Sequence, residues 1–218
     1  MSRLAPADRE RGLTLVELLV AISLLAIAMT LVTALVVSVS RTFTREEAQH
    51  ESSTAAALGM QQLSRVVRAA AELDTATGER APAFAAASPT ALSISAYLDV
   101  QRVEDGPVRV DLTLDPTAGT ITEQRFASYR ASGLWQFRTT PFRTRVVLRD
   151  VIDAAVFTYR RANGTSLPAR ALTAAERREI AAVRVSYAVQ ADDTGRVAPS
   201  RLEATVSLPN IELTRTAP

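Results

Sequence analysis

The chain has 218 residues, 47% of them hydrophobic, 22% charged and 5% aromatic. At roughly 100 to 200 residues per domain this allows one globular domain with an appendage and excludes a multidomain machine. Ten prolines and eight glycines spread along a chain this apolar exclude collagen-like, low-complexity and disordered classes. Cysteine is absent and His50 is the only histidine, so disulfides, thiolate metal sites and a cysteine nucleophile are ruled out, and histidine chemistry is reduced to one side chain. All 25 basic residues are arginine and the net charge is +2, too small by itself to imply a polyanionic partner.

The first element is apolar. Residues 13–39 carry one charge, Glu17, and exceed the roughly 20 residues that span a bilayer core as a helix. A secretory signal peptide would have a shorter apolar run of about 7 to 15 residues followed by a small-x-small cleavage site, and neither is found. Three arginines precede the segment and two follow it closely, a slight bias toward a cytoplasmic N-terminus. Glu17 is the odd residue, because a carboxylate in hydrocarbon costs about 2.5 to 3.5 kcal/mol on insertion scales. In an ordinary membrane anchor it would snorkel to the interface.

The residues around Glu17 favour another account. Arg11-Gly12, then Leu13-Thr14-Leu15-Val16-Glu17, then fourteen apolar or small residues over 18–31, resemble the class III signal of type IV prepilins. The resemblance implies that a membrane prepilin peptidase cuts between Gly12 and Leu13 and methylates the new amine. Phenylalanine is commonest at the first mature position in that family, and Leu13 is a permitted variant. Gly12 lets the backbone enter a protease cleft unobstructed. In a packed filament the ammonium of one subunit can neutralise the Glu17 carboxylate of its neighbour, which accounts for a tolerated buried acid.

No proline interrupts residues 13–73, and a continuous helix of that length would measure roughly 92 Å. Beyond residue 39 the pattern turns amphipathic, with Ala56, Met60, Leu63, Val67 and Ala70 on one stripe. Gly59 interrupts it at a cost of about 1 kcal/mol relative to alanine, and His50 reads as a solvated surface residue. Residues 73–89 read as a connecting loop or irregular excursion. Period-two alternation then predicts strands over 92–96, 108–114, 183–189 and 202–208. Asp115-Pro116-Thr117-Ala118-Gly119 predicts a hairpin, Asn163-Gly164 a tight turn, and Thr173-Ala174-Ala175-Glu176 a capping box opening a short helix over 177–182.

These elements predict an α+β fold: a leader over 1–12, the membrane and assembly half of a long helix over 13–39, its amphipathic half over 40–74, and a mainly antiparallel β-rich head over 75–218. That is the pilin layout. The size and the absence of a C-terminal cysteine pair look like those of a minor subunit, and the strand over 151–159 followed by Asn163-Gly164, the helix before the Val183 strand and the close at Val206-Ser207-Leu208-Pro209-Asn210 resemble minor pilin W and pseudopilin J. The acid at Glu17 argues against the tip pseudopilin K, which characteristically lacks it. The resemblance implies a minor structural subunit of a type IV pilus or type II secretion pseudopilus, initiating or capping assembly. Its partners would be prepilin peptidase, other pilins or pseudopilins and the inner membrane, with the head exported. The rival class is a single-pass anchored receptor or enzyme that keeps residues 1–12.

No catalytic residue, cofactor or metal site is assigned. Asp192-Asp193 before Thr194-Gly195 could offer calcium oxygens, but no twelve-residue ligand loop surrounds them, and a solvated turn is the better reading. Asn163-Gly164-Thr165 matches a glycosylation acceptor, yet hairpin chemistry explains it. Residues 125–149 hold Arg125, Arg130, Arg138, Arg143, Arg145 and Arg149 without an acid, interleaved with Phe126, Tyr129, Trp135, Phe137 and Phe142. Arg138, Arg143, Arg145 and Trp135 are candidate contacts to DNA. The plainer reading places arginines on a wet strand face and aromatics in the core, and it takes precedence.

Overall fold

The computed structural model describes residues 14–74, 80–98, 106–190, 198–209 and 211, with the side chains of Thr44, Arg45 and Ala48 left aside. Helix α1 runs Leu15–Arg68. The strands β1 Leu73–Asp74, β2 Arg80–Ala81, β3 Phe84–Ala87, β4 Ala91–Ala96, β5 Val108–Asp115, β6 Thr120–Ala131, β7 Leu134–Phe137, β8 Arg143–Leu148 and β9 Phe157–Arg160 follow, then helix α2 Ala174–Arg178 and the strands β10 Ala182–Val189 and β11 Ser200–Ser207. This is the expected α+β fold, a long apolar N-terminal helix followed by mostly antiparallel sheet. The chain divides into two compact units after Glu46.

In the unit from residue 47 onward, the predicted stripe of α1 is the buried one. Ala56, Leu63, Val67 and Ala70 have no exposed surface and Met60 almost none, and they share one apolar core with Leu112, Ile121, Leu148, Val185 and Tyr187. Gly59 owes its place to close approach. A Cβ there would lie 2.7 Å from Leu148 Cδ1 and 3.2 Å from Tyr187 Oη, so the residue gives up helix propensity to let the helix sit on both sheets.

The first sheet runs β3-β4-β5-β6-β7, with β8 also pairing β6; the second runs β9-β10-β11. Strand β6 is long enough to pair β8 through residues 121–125 and β7 through 128–131. The predicted hairpin joins β5 to β6, with Asp115 Oδ1 accepting from Thr117 and Ala118 N–H and Gly119 at φ +61°. Residues 150–156 strap the two sheets together. Val151 N–H donates to Gly119 O, Ile152 N–H to Ala188 O, and the Val156 and Phe157 amides both donate to Pro89 O. Tyr159 adds a tie, accepting from Ser88 N–H and donating to Ser88 O, with its ring edge-on to Phe84 at 6.2 Å. Burial raises the Tyr159 phenol, so it stays a neutral donor.

Four boundaries differ from expectation, each because long-range pairing overrides local propensity. Helix α1 ends at Arg68 rather than residue 73, since Ala70 bridges Ala96 and Ala71 N–H donates to Ser95 O. The described residues of 73–89 hold three short strands where a connecting loop or irregular excursion was expected. The strand expected over 151–159 is instead Phe157–Arg160, because Val151 makes an isolated bridge to Val189 and the strap takes what lies between. The capping box at Thr173 and Glu176 forms fully, but α2 stops at Arg178, as Ala181 N–H donates to Arg160 O and residue 182 starts β10.

Candidate functional site

At the N-terminal end, Thr14 opens the helix: its carbonyl accepts from Leu18 N–H at 3.1 Å and its Oγ1 from Glu17 N–H at 3.3 Å. Glu17 therefore lies three residues inside the cap, in the first turn, where the unpaired amides and helix dipole favour an anion. The Thr14-x-x-Glu17 spacing is that of a capping box. Gly12 and Leu13 lie outside the described residues. From Leu15 to Phe43 the helix is long and apolar enough to cross a membrane, and none of it is buried in the protein. Leu15, Leu25, Met29, Leu31, Leu35 and Phe43 each expose over 60% of their surface. An apolar face of this extent does not persist in water and needs lipid or other chains around it.

The arginine-rich strands are less uniform than the sequence suggested. Residues 121, 123 and 125 of β6 are buried and 122 and 124 half-buried, so alternation turns Glu123 and Arg125 toward the core. The β6–β8 register sets Arg145 opposite Glu123 and Arg143 opposite Arg125. Glu123, 1% exposed, accepts from Arg125 Nε at 2.5 Å, from Arg145 Nη2 at 2.8 Å and from Gln62 Nε2 of α1 at 3.2 Å. Burial alone would raise its carboxyl, but the hydrogen bonds and charges of Arg145 and Arg125 outweigh that and hold it below the usual carboxylate range. Arg145 is thus committed to an ion pair. A groove of about 430 Å³ adjoins it, lined by Leu58, Gly59, Gln61, Gln62, Arg65, Arg145, Val146 and Val147.

Trp135 is half-buried, with the Arg130 guanidinium over its ring at 4.4 Å. Arg138 is exposed and lies over Tyr129 at 5.8 Å, and Arg143 is exposed at the start of β8. The four candidate contacts are therefore split: the structure sets Arg143 beside Arg145 on one face of β8, while Arg145 and Trp135 are each engaged within the fold. The missed member is Glu123, two residues before the stretch singled out. Its i, i+2 relation to Arg125 was a legible signal, since both fall on one strand face. His50 is exposed on α1. Asp192, Asp193, Thr194 and Gly195 lie outside the described residues, and among the described residues no cluster of His, Asp or Glu could hold a metal ion.

Among known protein families, the model described as the prokaryotic N-terminal methylation motif matches residues 8–33. No curated protein matches the chain. The chain thus carries a type IV prepilin-like N-terminal signal and a helix able to cross a membrane.

Proposed function

We propose that this type IV pilin-like chain is a minor subunit of a type IV pilus or type II secretion pseudopilus, where it initiates or caps filament assembly. The observation that carries the reading is the methylation motif over 8–33 together with a helix from Leu15 whose apolar side chains over 15–43 are unburied within the chain. Prepilin peptidase cuts between Gly12 and Leu13 and methylates Leu13. Before assembly the helix holds the protein in the inner membrane with the head exported; afterwards its apolar surface packs on the helices of other pilins or pseudopilins. Glu17 then meets the N-terminal amine of a neighbouring subunit, an ion pair that offsets the cost of burying either charge. A structural subunit needs no catalytic centre, and the role assigned to this chain includes none.

N-terminal analysis of protein from a host with active prepilin peptidase tests the reading. N-methylated Leu13 is the expected first residue; an unprocessed chain starting at Met1 would favour an anchored receptor or enzyme. Glu17→Ala is expected to leave cleavage and membrane residence unchanged, since removing the charge eases insertion, while incorporation into filaments falls.

A further inference from the structure

Charge is unevenly distributed along this chain. Residues 120–149, covering β6 to β8, hold six arginines against Glu123 alone, whereas the whole chain is only +2; everything outside this stretch is net acidic. Within the stretch the fold sorts the arginines. Arg125 and Arg145 hold Glu123, and Arg130 lies over Trp135. Arg138 and Arg143 have no acidic partner among the described residues; both are exposed, and they bracket Phe142, which is 59% exposed. No ring or cation covers the Phe142 ring among the described residues.

The connection from Arg138 to Arg143 is fastened at both ends. Arg138 N–H donates to Ala127 O and Phe142 N–H to Arg125 O, each at 2.9 Å, so both ends are pinned to β6 two residues apart. Arg138 is steadied over Tyr129, whose hydroxyl donates to Gln136 Oε1 at 2.8 Å. Two cations and an uncovered aromatic ring are thereby presented on a braced loop, which reduces the ordering cost of binding.

We propose that the 138–143 loop is a binding surface for single-stranded nucleic acid, with Arg138 and Arg143 on neighbouring phosphates and Phe142 stacked on an unpaired base. The charge fits a polyanion. The uncovered ring selects a single strand, because every base offers a π-face and a duplex keeps its bases stacked inside. This surface is independent of the filament reading and would stand if that reading failed.

The test uses the full chain in neutral detergent micelles and a fluorescein-labelled 20-nucleotide oligothymidylate, followed by anisotropy across a salt series. The parent binds, with log K falling linearly against log salt at a slope of about −0.7 per neutralised phosphate. Arg138→Gln with Arg143→Gln is expected to flatten that slope by about 1.4, the contribution of two phosphates. The same charge change on the other sheet, Arg184→Gln with Arg201→Gln, is expected to leave binding as it was. Phe142→Ala is expected to lower affinity about five- to 150-fold with the slope retained, the loss of one stacked base. Circular dichroism identical to the parent confirms that each variant is folded. Failure of the parent to bind, equal losses in the two arginine pairs, or parental affinity in Phe142→Ala would overturn the proposal. So would a 20-base-pair duplex binding as tightly as the single strand, which would leave only attraction between a basic surface and any polyanion.

Discussion

Replacing Glu123 with glutamine tests the tie between helix and sheet. The carboxylate is 1% exposed and Arg125 is 4% exposed, so neutralising Glu123 breaks a buried ion pair, and breaking such a pair typically costs about 3–5 kcal/mol. The Arg145 side chain is one-third exposed, and a pair so accessible to water is worth only about 0.2–1 kcal/mol. The expected order is therefore a large loss for Glu123→Gln and a loss of about 1 kcal/mol or less for Arg145→Gln. Urea unfolding followed by fluorescence reads this directly, because Trp135 on β7 is the only tryptophan. The pH dependence gives a second check. Because the folded-state carboxyl is held below its ordinary value, its stabilisation is complete above the unfolded value of about 4.3 and is lost as pH falls through the lower folded value. Parent and Glu123→Gln should therefore converge in acid. Equal losses from the Glu123 and Arg145 variants, or a gap between parent and Glu123→Gln that widens below pH 4, would refute the reasoning.

Three further outcomes follow from the packing. Gly59→Val forces a side chain against Leu148 and Tyr187 and should cost about 1–3 kcal/mol through overpacking, measured by the same unfolding assay; a stabilised variant would contradict the close approach. Tyr187→Phe removes the 2.7 Å hydrogen bond to Ala56 O and should lower stability by about 1 kcal/mol with an unchanged circular dichroism spectrum. Residues 47–218, expressed alone, should give a soluble, cooperatively unfolding domain, since that unit has its own core; an unfolded or purely helical spectrum would show that the N-terminal segment is required.

Much of the architecture was legible because alternation and capping are local. The strand expected over 92–96 is Ala91–Ala96, that over 183–189 is Ala182–Val189, and the Thr173-x-x-Glu176 box formed both of its reciprocal bonds. What stayed hidden depended on partners far away in sequence. Alanines 69–71 have strong helix propensity, yet the edge of β4 claims Ala70 and Ala71. The engagement of Arg145 follows from the β6–β8 register, which no local pattern specifies. The signal at 11–17 was legible for a different reason: it is a short contiguous string, whereas a head surface is assembled from separate strands.

The polar ties of α1 to the head can be regarded as a load path. Gln49 and Ser53 meet Ser200 of β11, Ala56 O holds Tyr187 of β10, and Gln62 holds Glu123 of β6. These ties are spread over fourteen residues of helix, about 20 Å along its axis, and they reach both sheets. Tension entering along the helix at residue 47 is therefore shared among bonds that must shear together, with the apolar stripe from Ala56 to Ala70 behind them. A single attachment point would instead peel one bond at a time.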